Sequence, residues 1–93
     1  MDIEFDPEKD AINQTKHGLS LAAAEGFDID TALVTYDDRA APEDRWVAIG
    51  LIDMVLHVLV FTERDGHIRP ISLRKAEKPE VRSYEAYKAR YGF

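Results

Sequence analysis

The chain contains no cysteine, which removes disulfide bonds, thiolate catalysis and every cysteine-ligated zinc site together. Cationic charge is scarce. Twelve Lys and Arg stand against 18 Asp and Glu, a formal net charge of −6 at pH 7, and that balance argues against a protein that coats nucleic acid. Long apolar runs are missing too: the longest, around Val55 to Phe61, is interrupted by His57 and falls far short of the ~20 residues that cross a bilayer. The first residues, Met1-Asp2-Ile3-Glu4-Phe5-Asp6, are acidic, with neither the basic start nor the apolar centre of a signal peptide. The expectation is a cytoplasmic protein with no membrane partner. There is no His-Glu-x-x-His pair, no glycine-rich phosphate loop and no nucleophile elbow. His17, His57 and His67 are scattered, and Asp28-Ile29-Asp30 lacks the further oxygen ligands of a calcium loop. No metal and no cofactor is therefore expected.

What is present suits one small domain spanning residues 1–93, with 45% hydrophobic and 32% charged residues. The charge is unevenly placed. Residues 1–53 carry 13 acidic and 4 basic side chains, a net of −9, and residues 54–93 carry 5 acidic and 8 basic, a net of +3. An acidic body bearing one local basic site fits this split better than a uniformly anionic surface.

Local signals predict an α+β domain in the order strand, helix, helix, four strands, helix. Ile3 to Phe5 suits a short strand. Asp6-Pro7-Glu8 reads as a helix start, since Asp6 can cap, Pro7 tolerates the first turn and Glu8 complements the dipole. That helix is expected to reach His17, to bury Ala11, Ile12 and Thr15, and to end at Gly18. Ser20 can cap a second short helix over Leu21 to Glu25. Strands follow at Leu33 to Tyr36, Trp46 to Ile52, Met54 to Thr62 and His67 to Leu73, with Asp65-Gly66 as a hairpin turn and an exposed loop from Asp37 to Asp44. Short connections predict an antiparallel meander. Pro70 lacks a ladder donor, so the last strand is expected at an edge or with its N–H side facing out there. Pro79 opens a final helix with Val81, Tyr84, Tyr87 and Tyr91 on one stripe.

Two groups of residues can carry chemistry. Lys16 and His17 close the first helix; cations there offset the helix dipole, and they also place a positive charge beside a side chain able to exchange protons near neutrality. Arg64, Arg69 and Arg74 surround the last hairpin, where guanidinium groups can hold phosphate bidentately or simply form a solvated rim. Strand alternation puts Ser72 and Arg74 on one face and Arg69 on the other. His57 is expected to be a core or half-buried histidine, and Trp46 to pack rather than stack on a base.

Several segments together resemble the BrnT toxin family in order and spacing. These are Phe5-Asp6-Pro7-Glu8-Lys9, Asn13-x-x-Lys16-His17-Gly18-Leu19-Ser20, Glu43-Asp44-Arg45-Trp46-Val47-Ala48-Ile49-Gly50, Val60-Phe61-Thr62-Glu63-Arg64 and Ile68-Arg69-Pro70-Ile71-Ser72-Leu73-Arg74-Lys75-Ala76, followed by Glu80 and Tyr84. Leu73 stands where the family usually has Ala. The resemblance implies a RelE-like fold and the ribonuclease toxin of a type II toxin-antitoxin pair, acting without a metal. It implies a site drawing on Lys16, His17, Arg64, Ser72 and Arg74, with Arg45, Glu63 and Arg69 as second choices. It also implies a BrnA-like antitoxin, two toxin copies in the complex, an RNA substrate that a ribosome can present, and DNA contact only through the antitoxin. The competing expectation is a non-catalytic module that only binds its antitoxin, favoured by the net negative charge because RNA affinity rests on phosphate neutralisation.

Overall fold

The computed structural model describes residues 2–93. Helix α1 covers Pro7–His17, capped by the Asp6 carboxylate, which accepts the Glu8 N–H at 2.9 Å, and ended by Gly18 at φ 71°. A 3-10 helix, Leu21–Gly26, follows, with Ser20 as its cap. The strands are β1 (Leu33–Asp37), β2 (Arg45–Ile52), β3 (Val55–Arg64) and β4 (His67–Lys75), and α2 (Lys78–Tyr91) completes the chain. All neighbouring strands pair antiparallel in the order β1-β2-β3-β4, an α+β meander with β4 at one edge and β1 at the other. The predicted N-terminal strand is reduced to a single parallel bridge, Ile3 with Ile68, which extends the sheet beside the start of β4.

Directly paired residues share a face, so the ladder sorts the sheet. Ala48, Leu59, Phe61 and Leu73 face the 3-10 helix and form the core with Leu21, Ala24 and Phe27. Gly50 belongs to this face for want of space: a Cβ there would lie 2.7 Å from Phe27 Cζ and 3.0 Å from Ala32 Cβ. His57 is buried on the strand that pairs with Gly50, its Nδ1 2.7 Å from the Val55 carbonyl oxygen. Trp46 stacks on Phe61 and meets Tyr36 edge-on, at ring separations of 5.9 and 5.7 Å. On the other face Val81 and Tyr84 of α2 approach Leu51 and Leu56 across a groove, while the end of the sheet near Thr62 and Arg69 meets the loop at 42–44 across a separate cleft. Tyr84 is buried and Tyr91 exposed, so the tyrosine stripe packs only in part.

One expectation fails in an informative way. Ala11, Ile12 and Thr15 are exposed, Ile12 to 57%, and the residue α1 buries is Asn13. The helix docks by its polar side. The Asn13 amide donates to the carbonyls of Leu19 (2.9 Å) and Leu73 (2.8 Å) and accepts the Leu73 N–H at 3.0 Å. Asp10, one turn earlier on the same face, accepts the Leu21 N–H at 2.7 Å and the Ser20 hydroxyl at 3.1 Å. Unpaired groups on edge strand β4 offer a stronger reward to a buried amide than the small stripe of Ala11, Ile12 and Thr15 offers through burial, so the stripe turns outward.

Candidate active site

The site is built around an irregularity in β4. Val60 pairs with Ser72 but Phe61 pairs with Pro70, so Ile71 is an extra residue, a bulge opposite the Val60–Phe61 step. A bulge reverses the alternation beyond it. Arg69 pairs with Thr62, Ser72 with Val60 and Arg74 with Val58, and these three β3 partners alternate on one face. Arg69 therefore shares the face of Ser72 and Arg74, contrary to simple strand alternation. Arg64, two residues beyond Thr62, joins them, as does Arg45 at the start of β2.

These arginines are not equivalent. Both terminal nitrogens of Arg74 are held by the Glu80 carboxylate, one at 2.7 Å, and Glu80 also accepts the Glu77 N–H at 2.8 Å. The pair ties β4 to the first turn of α2. Its mutual hydrogen bonds lower the Glu80 carboxyl below its ordinary range and raise the Arg74 guanidinium. Arg45 lies 3.5 Å from Glu43. Arg64, Arg69, Lys9 and Lys16 form no ion pair among the described residues. They remain available to an anion.

The available cations line two adjoining clefts. The first, about 470 Å³, is bounded by Arg64, Arg69, Thr62, Glu63, Glu43 and Asp44, with Pro42 at its rim. The Thr62 hydroxyl donates to the Asp44 carbonyl at 2.5 Å, and the Asp44 carboxylate accepts from Tyr36 at 2.8 Å and raises the pKa of that hydroxyl. This fixes the acidic loop against the arginines. The second cleft, about 220 Å³, is bounded by Lys9, Lys16, His17, Ile12, Asn13, Ile71 and Ser72. Asn13 creates it by pinning α1 to Leu73, which brings the Lys16-His17 corner beside Ser72. Arg69 and Ile71 are two residues apart on β4, so roughly 7 Å of strand separates the clefts.

Of the residues singled out from sequence, Lys16, His17 and Ser72 meet in one cleft and Arg64, Arg69 and Glu63 in the other. Arg45 and Arg74 share the sheet face but are engaged by Glu43 and Glu80. Lys9, Asn13, Thr62, Glu43 and Asp44 line the clefts without having been singled out as site residues. Lys9 had a signal, since it lies seven residues before Lys16 on one helical face. Glu43 and Asp44 stood out only as part of a segment resembling the family, because what their loop lies against is set by the Thr62 hydrogen bond across the fold.

The architecture is thus an α+β domain that presents paired clefts of cations and carboxylates on one side of a short antiparallel sheet, a composition suited to phosphodiesters. Residues 5–80 match the family model described as the ribonuclease toxin, BrnT, of type II toxin-antitoxin systems, and the chain belongs to that family. No curated protein and no solved structure gives a match.

Proposed function

We propose that the protein cleaves RNA without a metal ion, at the two adjoining clefts, by attack of a ribose 2′-hydroxyl on the neighbouring phosphorus. The observation that carries this reading is the convergence of Arg64 and Arg69, which form no ion pair among the described residues, on one cleft of the sheet face that also carries Ser72, where Lys16 and His17 line the neighbouring cleft. Arg64 and Arg69 hold the non-bridging oxygens and offset the charge that grows on them. His17, beside Ser72, takes the 2′-hydroxyl proton. The 2′-oxygen bonds to phosphorus, the bond to the departing 5′-oxygen breaks, and the Lys16 ammonium returns a proton to that oxygen, leaving a 2′,3′-cyclic phosphate and a 5′-hydroxyl. Arg74 supports the site through Glu80 and does not touch substrate.

The acidity of the chain belongs to the same reading. A protein of net charge −6 binds free RNA weakly and in a salt-sensitive way, which suits RNA already held by a ribosome in the cytoplasm. A BrnA-like antitoxin neutralises the toxin by covering the clefts, in a complex with two toxin copies whose DNA contacts come from the antitoxin.

The test is cleavage of a labelled RNA in EDTA by the purified chain. Cutting is expected to stop on a substrate with 2′-deoxyribose at the cut position and to fall about 10²–10³-fold in Arg64→Ala or Arg69→Ala. Undiminished cutting by either folded variant, or cutting of the deoxy substrate, overturns the mechanism. A chain that binds its antitoxin but cuts nothing, on or off ribosomes, is the non-catalytic module instead.

A further inference from the structure

The two edges of the sheet are treated differently. On β4, Ile3 bridges Ile68, Pro70 has no N–H to offer, Ile71 bulges and the Asn13 amide occupies the polar groups of Leu73. Each is a known way of closing an edge to further pairing. None is present on β1. Its residues Leu33-Val34-Thr35-Tyr36-Asp37 are extended and pair with β2 on one side only, and Val34 and Tyr36 are exposed to 40% and 52%. The aromatic row Phe61, Trp46, Tyr36 crosses three strands and stops at this open edge.

We propose that β1 pairs with β1 of a second copy of the chain, antiparallel about a two-fold axis through Thr35, joining two four-stranded sheets into one of eight. The three central residues of the strand are complementary to themselves in this register. Thr35 meets Thr35 of the second copy and Val34 meets Tyr36, both favourable cross-strand pairs, while Leu33 meets Asp37, whose charge is held by Arg39 of its own chain, at the two ends of the contact, and no like charges oppose each other. Val34 of the second copy continues the row that ends at Tyr36. An axis perpendicular to the sheet leaves both arginine faces on the same side of the enlarged sheet. The contact needs neither RNA nor antitoxin, so it stands or falls separately from the proposed reaction. A five-residue strand makes an interface below the usual size, and exchange between monomer and dimer is expected over roughly 10 µM to 1 mM.

The absence of cysteine makes the register directly testable. In Thr35→Cys the two sulfur-bearing residues come within the Cα separation that a disulfide bridges, whichever type of antiparallel pair they form. Under oxidised glutathione this variant is expected to form a covalent dimer at least tenfold faster than Glu25→Cys, an exposed site away from the edge. Sedimentation of the unmodified full chain is expected to show a concentration-dependent dimer, and Val34→Lys to weaken it at least tenfold with an unchanged circular dichroism spectrum. A chain that stays monomeric across the range overturns the proposal and leaves the edge to a strand of another protein. So does a dimer indifferent to Val34→Lys whose Thr35→Cys form cross-links no faster than the control.

Discussion

Replacing Asn13 by alanine tests how much of the molecule depends on one buried amide. Three hydrogen bonds disappear, to Leu19 O, Leu73 O and Leu73 N. A net ~0.5–1.5 kcal/mol for each gives roughly 1.5–4.5 kcal/mol, and Leu73 sits too deep for water to replace the lost partners cheaply, so about 2–4 kcal/mol is expected. For a domain this small that is a large part of a total stability of order 5–15 kcal/mol and lowers Tm by roughly 8–30 °C. Urea unfolding followed by Trp46 fluorescence measures it: the midpoint should fall while the slope m stays constant, because the unfolded chain exposes the same surface. Asn13→Asp separates donor from acceptor roles. A carboxylate can still accept from Leu73 N–H but cannot donate to either carbonyl, so at pH 7 this variant should be no more stable than the alanine one. A loss under about 0.5 kcal/mol in Asn13→Ala would refute the reasoning, since α1 would then be held by something other than this amide. Because Asn13 also brings Lys16 and His17 to Ser72, cleavage by the folded alanine variant should drop even at saturating RNA.

Other outcomes follow from the same geometry. Arg74→Ala should lower stability by about 1–2 kcal/mol through the loss of a half-buried bidentate pair, whereas Arg64→Ala and Arg69→Ala, at exposed or half-exposed positions without ion pairs, should leave the urea midpoint within about 0.5 kcal/mol of the parent. Glu80, held low chiefly by Arg74, and Asp10, held low chiefly by the Leu21 N–H, have folded pKa values below their unfolded ones. Their contribution is thus complete above the ordinary carboxyl range near pH 4 and is lost as pH falls through the lowered values; Glu80→Gln should flatten the acid limb of a stability-against-pH curve. Gly50→Ala should cost about 1–3 kcal/mol in thermal or urea unfolding, since its new methyl meets the Phe27 ring and the Ala32 methyl.

The two sources of information divide along a physical line. Features written in neighbouring residues were legible in the chain itself: the Asp6-Pro7 start and Gly18 stop of α1, the Ser20 cap, the Asp65-Gly66 hairpin and the order of strands all depend on local sterics and nearby hydrogen bonds. The membership of the family was legible too, because its motifs are local strings spread over residues 5–80. The orientation of α1 was not, since its apolar residues and its polar residues compete for the interior, and the winner depends on Leu73, sixty positions away. Nor was the direction of Arg69, which turns on one extra residue in a ladder whose register exists only once β3 and β4 meet. Sequence alone established which cations the chain owns. Tertiary structure decided which are spent, as Arg74 is on Glu80, and which are left to face an anion, because ion pairing is a matter of distance across the fold and residue order does not encode it.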